Sequence, residues 1–202
     1  MLHASHSGQI PDIATRKIAT AICVLAVAVT SRASAGPVDE LKFGVLAHDV
    51  IARKELSADI NGEILFEPIG LLTDERNPPW LRAMLEPRPG LGFTANTNGK
   101  TSQGNLDLDW REKVVDRVMG ADDEIYAELQ AGGSFNNGKT GETASDREAL
   151  GSHVLFHLSF ESGYALTGHY SLGLYFDHIS NGGLAQYNRS LNNAGLRFGY
   201  RP

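Results

Sequence analysis

His178 and Ser180 stand two residues apart near the C-terminus, at the end of a stretch in which apolar and polar residues alternate. Residues i and i+2 of a β-strand project from the same face, so the two side chains are expected side by side. A serine hydroxyl beside an imidazole is the nucleophile and base of a serine esterase. Gly182 and Gly183 follow, and two consecutive glycines predict a tight turn immediately after the pair.

The face that this pair shares is apolar. Leu172, Leu174 and Phe176 precede the pair in the same phase of the alternation, whereas Asp177 lies in the opposite phase. Polar groups therefore end an apolar stripe, which indicates chemistry at an apolar boundary. Asp177 is next to His178 in the chain, but it projects from the other face and is a poor partner for the imidazole.

The elements that position the pair follow from the same alternation. Runs with a period of two predict eight β-strands, near residues 41–49, 59–67, 90–98, 103–111, 123–135, 152–164, 170–180 and 192–201. Residues 78–86 predict a short turn of helix. An even number of strands, each with one apolar and one polar face, predicts an all-β fold, an eight-stranded antiparallel closed barrel.

Alternation alone leaves open which face of the barrel points inward. A soluble lipocalin-like carrier has its apolar face inside, whereas a transmembrane barrel has it outside. Aromatic residues favour the membrane, because they end the apolar phase of the four even-numbered strands. These residues are Phe66, Trp110, Tyr164 and Tyr200. Such a girdle is typical of one surface of a membrane.

Residues 1–35 predict a cleavable export signal. A basic pair at 16–17 precedes a mainly apolar region of twelve residues at 18–29, and the small residues at 33–35 fit a cleavage site. The apolar run is short for a transmembrane helix. The barrel domain is therefore expected to comprise residues 36–202.

Composition excludes several classes of function. The chain has 202 residues and a net charge of −6; removing the predicted signal, which holds Arg16, Lys17, Arg32 and Asp12, leaves 15 basic and 23 acidic residues and a net charge of −8. This charge argues against a nucleic-acid partner. The one cysteine, Cys23, lies in the predicted signal, so no disulfide is expected. We find no phosphate loop and no metal-ligand spacing, and the sequence predicts neither a metal nor another cofactor.

A third polar residue, Asn192, is expected beside His178 and Ser180. With both termini on the periplasmic side, the seventh strand carries the pair to the outer end of the barrel, where the two side chains face lipid. The eighth strand returns antiparallel, and Asn192 is in phase with its apolar residues Leu196 and Phe198. The lipid in that leaflet of an outer membrane is lipopolysaccharide. An ester of lipid A is therefore the nearest substrate.

The segment from His178 to Asn192 resembles the signature of the lipid A 3-O-deacylase (PagL-like, acyloxyacyl hydrolase) family. The family pattern is roughly His-x-Ser-Asn-[Ala/Gly]-Gly, with an Asn eight residues after the Ser and an acid four residues further on. Segments 41–49, 59–63 and 87–89 also resemble the family. The resemblance implies an eight-stranded barrel of the bacterial outer membrane that removes the 3-O-linked acyl chain of lipid A by serine hydrolysis, without a metal.

The resemblance also implies roles for individual residues. Ser180 would be the nucleophile and His178 its base, while Asn181, Gly183 and Asn188 would surround the acyl carbonyl. A preorganised oxyanion donor contributes about 3 kcal/mol. The implied partners are lipid A, or whole lipopolysaccharide, and outer-membrane lipids; the sequence leaves open whether the barrel forms a homodimer.

Asn192 departs from the family pattern, which has a carboxylate at this position. An asparagine can orient an imidazole by accepting its N–H, but it supplies no negative charge. In trypsin-like proteases, replacing the triad Asp by Asn lowers turnover about 10⁴-fold, partly because the imidazole takes the wrong tautomer. Two hypotheses therefore stand beside each other: an esterase that acts on lipid A, and a weak or inactive barrel that binds lipid.

Overall fold

The computed structural model describes residues 38–69, 76–142 and 145–202. The predicted export signal, residues 1–35, lies outside the described residues. Eight strands form one closed antiparallel barrel, in which each strand pairs with the next and the last pairs with the first. In chain order the elements are β1 (Val38–His48), β2 (Ser57–Phe66), α1 (Pro79–Leu85), β3 (Arg88–Asn96), β4 (Gln103–Asp116), β5 (Glu124–Asn136), β6 (Val154–Ala165), β7 (Tyr170–Ser180) and β8 (Leu191–Tyr200).

All eight strands lie where the alternation predicts them, and the turn of helix predicted for 78–86 is α1. The largest difference is in β4, which extends to Asp116. A bulge between Lys113 and Val115 shifts the register, and the pairing with β5 continues beyond it. A bulge interrupts the period of two, so the sequence pattern did not predict the last residues of β4. No helix among the described residues is long and apolar enough to cross a membrane.

The apolar faces of all eight strands point outward. Large apolar side chains that are between 41% and 67% exposed occur on every strand, including Phe43, Ile60, Leu91, Leu106, Leu129, Leu158, Leu174 and Leu196. The barrel interior holds charged side chains instead. This arrangement is that of a transmembrane barrel, and it eliminates the lipocalin-like alternative, in which the apolar face would be inside.

Buried ion pairs connect strands across the interior. Lys42 on β1 contacts Glu128 on β5 and lies 3.0 Å from Glu161 on β6. Arg197 on β8 lies 3.1 Å from the same Glu161 and also contacts Glu63 on β2. Charges taken out of water need such partners, because an unpaired buried charge is strongly destabilising.

Tyr126 looks like an exception to the alternation of β5, since it is an aromatic residue in the polar phase. Its side chain is completely buried, its hydroxyl donates to Glu161 at 2.6 Å, and the guanidinium of Arg111 lies 3.5 Å from its ring centroid. Gly163 faces this ring, and a Cβ there would lie 2.2 Å from the Cζ atom. A glycine is thus required at 163 to leave room for the tyrosine inside the barrel.

The two ends of the barrel differ. The end at which β1 begins and β8 ends has the short turns 117–123 and 166–169, the connection that carries α1, and the aromatic residues predicted as a girdle. There the indole of Trp110 donates to the carbonyl of Met84 in α1 at 3.1 Å. The opposite end carries the connections 49–56, 97–102, 137–153 and 181–190. We call this second end the loop end. Ser180 is the last residue of β7 and therefore lies at the loop end.

Candidate active site

Strands β6, β7 and β8 are neighbours, and their register brings the site residues together. His178 on β7 is opposite Leu158 on β6 and opposite Asn192 on β8. Ser180 is opposite Phe156 on β6. The sequence predicts that these three polar side chains share the outward face of the barrel, and the structure brings them together there.

The three side chains form a hydrogen-bonded chain. His178 Nε2 lies 3.0 Å from Ser180 Oγ, and His178 Nδ1 lies 2.8 Å from Asn192 Oδ1. Because an amide oxygen can only accept, the contact with Asn192 requires the proton on Nδ1. Nε2 then carries a lone pair directed at the serine hydroxyl, which is the tautomer that a general base needs.

The backbone of Asn192 also makes a hydrogen bond outside the strand pairing. The residue is 3% exposed, and its carbonyl oxygen accepts the N–H of Val50 at 2.8 Å. This hydrogen bond attaches the connection 49–56 to the beginning of β8. Asp177, the carboxylate next to His178, is completely buried on the inner face, where it accepts from the amide of Asn193 at 2.9 Å. The residue that orients His178 is therefore an amide.

The connection 181–190 begins with the turn predicted from its glycines. Gly182 and Gly183 have φ angles of +63° and +81°, which residues with a side chain rarely adopt. Asn181 is completely buried beneath this turn. Its amide nitrogen donates to the carbonyls of Leu150 (2.8 Å) and Tyr187 (2.6 Å), and its Oδ1 accepts the N–H of Gly183 at 2.9 Å.

These contacts concern the three residues that are expected around the acyl carbonyl, Asn181, Gly183 and Asn188. Both amide hydrogens of Asn181 are engaged by backbone carbonyls, that of Leu150 in the connection 137–153 and that of Tyr187 in 181–190, so this side chain joins the two connections. The N–H of Gly183 is engaged by Asn181 in the same way. Asn188 is exposed at the loop end. The sequence pattern could not show this difference, because it depends on which way each amide points.

Apolar side chains surround the candidate nucleophile. Phe156 faces Ser180 across the strand pair, and a Cβ added at Gly182 would meet its ring at 3.2 Å. Leu158 and Leu174 are 54% and 67% exposed on the same outer wall. An acyl chain lying against this wall would keep contact with apolar surface up to the serine.

Beyond the strand ends, a buried carboxylate links three connections of the loop end. Glu55 accepts the backbone N–H groups of Thr101 (3.0 Å) and Glu148 (2.8 Å), and one of its oxygens lies 3.6 Å from His48 Nε2. Burial by itself raises the pKa of Glu55, but the interactions with His48, Glu148 and Thr101 outweigh it and lower the pKa to about 2. Glu55 was not singled out in the sequence, because its partners are distant in the chain.

No group of three or more His, Cys, Asp or Glu side chains in the described ranges is arranged to hold a metal ion. The candidate site itself offers one imidazole, one hydroxyl and one amide. Its chemistry is that of a nucleophile, a base and an orienting acceptor.

Comparison with known proteins shows the family to which the chain belongs. The family model described as lipid A 3-O-deacylase (PagL) matches residues 78–201. The chain belongs to this lipid A 3-O-deacylase family. The matched range contains all six candidate site residues, and the resemblance noted in the sequence is confirmed.

One solved structure shows the same fold, and two others align with lower scores. The crystal structure of the outer membrane enzyme PagL aligns with a TM-score of 0.60 at 15% identity, covering 81% of this chain and 99% of that one. A de novo designed transmembrane β-barrel aligns with a TM-score of 0.45 at 12% identity, covering 82% and 98%, and the N-terminal β-barrel domain of Pseudomonas aeruginosa OprF with 0.41 at 10%, covering 80% and 98%. No curated protein sequence gives a significant match. The family and the fold together make this protein an outer-membrane barrel.

Proposed function

We propose that the protein is an outer-membrane serine esterase that removes the 3-O-linked acyl chain of lipid A. Ser180 is the nucleophile, His178 the general base and Asn192 the group that orients the base. The observation that carries the proposal is the hydrogen-bonded chain of these three side chains on the outer wall, in a member of the lipid A 3-O-deacylase family.

The reaction follows from the positions of the protons. Ser180 Oγ attacks the carbonyl carbon of the ester while His178 Nε2 takes the hydroxyl proton. The tetrahedral intermediate collapses, the C–O bond to the sugar breaks, and His178 gives its proton to the leaving sugar oxygen. Water then attacks the acyl-serine with His178 again as base. The products are a free fatty acid and a lipid A with a free 3-hydroxyl group.

Asn192 supports this cycle because its amide oxygen orients the imidazole of His178 and directs a partial negative charge at it. Its Oδ1 holds the proton on Nδ1 in the resting state and faces the imidazolium that forms after proton transfer. An amide oxygen stabilises this cation less than a carboxylate does, because it carries only a partial charge. We therefore expect turnover below that of a variant with a carboxylate at 192.

Two donors for the oxyanion come from the connection 181–190. We assign the exposed amide of Asn188 as the first donor. We assign the N–H of Gly183 as the second, with the acyl oxygen entering the position where Asn181 Oδ1 now accepts this N–H. Each donor of this kind contributes about 3 kcal/mol to transition-state stabilisation.

The site faces the outer leaflet in this proposal. Three connections of the loop end, 49–56, 137–153 and 181–190, are longer than the turns 117–123 and 166–169 at the opposite end, and the longer connections of outer-membrane barrels lie outside the cell. The connection 67–87, which carries α1, is the exception at that opposite end. The apolar wall beside Ser180 then contacts the acyl chains of lipid A, while the loop end lies at the level of its sugars. The ester bond joins these two parts, and the position of Ser180 at the end of β7 supports a reaction at this level.

A second candidate function is that of a non-catalytic barrel that binds lipid. It is favoured by one observation, namely that the orienting residue is an uncharged amide. The two candidates share the fold, the membrane and the lipid, and they differ in turnover.

Mass spectrometry of lipid A from cells that produce the protein separates the two. The wild type is expected to release one 3-linked hydroxyacyl group, and Ser180→Ala to release none, with both proteins present as heat-modifiable barrels on gels. Unchanged lipid A in the presence of the folded wild type would refute the esterase and favour the lipid-binding barrel. Deacylation that persists in Ser180→Ala would refute the assignment of the nucleophile.

A further inference from the structure

The short helix α1 carries apolar side chains that the barrel does not cover. Trp80 and Met84 stand four residues apart, so their side chains lie on one face of the helix, and they are 64% and 61% exposed. Leu81 and Leu85 form the adjacent row of the helix and are half-buried. Two large apolar side chains on one exposed face make a surface that is unfavourable in water.

Trp110 shows where α1 lies relative to the barrel. This residue is in the outward phase of β4, and its indole N–H donates to the carbonyl of Met84 at 3.1 Å. The last turn of α1 is therefore held against the outer wall. Strand β3 begins at Arg88, opposite Asp109, so residues 110–116 of β4 extend past the beginning of β3, on the side of β4 where α1 lies.

The outward phase of β4 also shows where the apolar wall ends. Two residues beyond Trp110, this phase continues with Glu112, which is exposed. A carboxylate that faces lipid is costly within the hydrocarbon, whereas tryptophan is enriched at the boundary between hydrocarbon and water. The boundary therefore lies near Trp110, and the turn of α1 that contacts Trp110 lies at the level of the lipid headgroups.

We propose that α1 is an interfacial anchor, whose Trp80 and Met84 insert into the headgroup region of the phospholipid leaflet at this end of the barrel. Lipid is the partner of this face because α1 continues the lipid-facing wall at Trp110. Arg82 projects from the opposite side of the helix to Trp80, so α1 has an apolar side and a basic side, as helices that lie in the plane of a membrane have. The anchor is at the other end of the barrel from Ser180 and does not depend on the proposed esterase function.

Fluorine NMR of the complete barrel tests the insertion, because Trp80 and Trp110 are the two tryptophans of the chain. Protein labelled with fluorotryptophan is placed in phosphatidylcholine nanodiscs that each hold a single barrel, and the Trp80 resonance is identified by its loss in Trp80→Phe. We expect a phosphatidylcholine with a nitroxide near its glycerol to broaden this resonance more than a gadolinium chelate dissolved in the water does. Trp110, on the outer wall, is the internal reference for contact with lipid. A Trp80 resonance that is broadened more by the gadolinium chelate would overturn the inference.

Proteolysis within α1 gives a second readout. Trypsin cleaves after Arg82, and a helix that lies among the headgroups of a nanodisc is protected from the protease. The double variant Trp80→Gln, Met84→Gln removes the apolar face while keeping good helix propensity, and we expect cleavage after Arg82 to become about tenfold faster or more. The matched control Val118→Gln, Met119→Gln changes two exposed apolar residues in the turn after β4, at the same end of the barrel, and should leave this rate unchanged.

The heat-modifiable gel shift shows in each case that the barrel is folded. Equal cleavage rates after Arg82 in the wild type and in the Trp80 and Met84 double variant would overturn the inference, because protection would then not come from the apolar face.

Discussion

Polar side chains find different partners in the barrel interior and on the outer wall at the loop end. Inside, charges are neutralised by partners on several strands, as with Lys42 between Glu128 and Glu161. On the outer wall, the hydrogen-bonded chain from Ser180 to Asn192 contains a hydroxyl, an imidazole and an amide, and none of them is an acid.

This difference follows from what surrounds each region. The interior can balance each charge with another, and the cost of burial is offset by ion pairs. A side chain on the apolar outer wall has lipid on one side, where a fixed carboxylate would be expensive. The amide at 192 lowers that cost, and the absence of charge lowers the stabilisation of the imidazolium. The interior thus supports the wall of the barrel, and the outer site has the groups that the proposed chemistry next to lipid requires.

The largest expected effect is on the outer wall. His178→Ala removes the base, and we expect at least a 10³-fold loss of deacylation with the unfolding midpoint in urea changed little. The partly exposed imidazole contacts only Ser180 and Asn192 through hydrogen bonds, so the barrel does not depend on it. Lipid A mass spectrometry measures the activity and the heat-modifiable gel shift the folded state. A variant that lost its fold in parallel with its activity would contradict the separation of the two regions.

The converse change lies in the interior. Glu161→Ala leaves Lys42, Arg197 and Tyr126 without a shared partner, and we expect a destabilisation of about 3–5 kcal/mol, read from urea unfolding in detergent. Activity per folded molecule should stay within about twofold. Glu112→Ala, at an exposed position on β4, is the matched control and should change stability by no more than about 0.5 kcal/mol. Equal stability of the Glu161 and Glu112 variants would show that the buried contacts of Glu161 do not stabilise the barrel.

A charge added to the outer site sharpens the comparison. Asn192→Glu supplies the family's carboxylate, which stabilises the imidazolium, and we expect a roughly tenfold or larger rise in kcat. The cost should appear as a modest loss of barrel stability, because an acid then lies on the outer wall. Initial rates on lipopolysaccharide micelles and urea unfolding of the same preparations measure both effects. A slower enzyme would indicate that the wall is shaped specifically for the amide.

The smallest effect concerns pH at the loop end. The pKa of Glu55 is lowered to about 2 from its usual 4.5, so its contacts stabilise the folded connections at pH values above 4.5. That contribution is lost as the pH falls from 4.5 towards 2, because the folded state must then accept a proton that the unfolded chain already holds. We expect protease cleavage within 49–56 to increase over this range, by an acid-tolerant protease such as pepsin. Glu55→Gln should flatten the dependence; an unchanged pH profile in that variant would assign it to another group.

Much of the fold was predictable because a strand's period of two is local. Alternation in residues 170–180 located β7 and placed His178 and Ser180 on one face, without any knowledge of neighbouring strands. The extension of β4 to Asp116 was missed because a bulge interrupts the period.

The sequence by itself determined the strands, the polar and apolar phase of each, and the three side chains that carry the proposed chemistry. These properties depend on residues close together in the chain. The tertiary structure settled which way the apolar phase faces and placed Asn192 opposite His178, both as expected, and it alone showed that the amide of Asn181 donates to the carbonyls of Leu150 and Tyr187. Each depends on the closure of the barrel and on cross-strand register, which join residues that no local pattern connects.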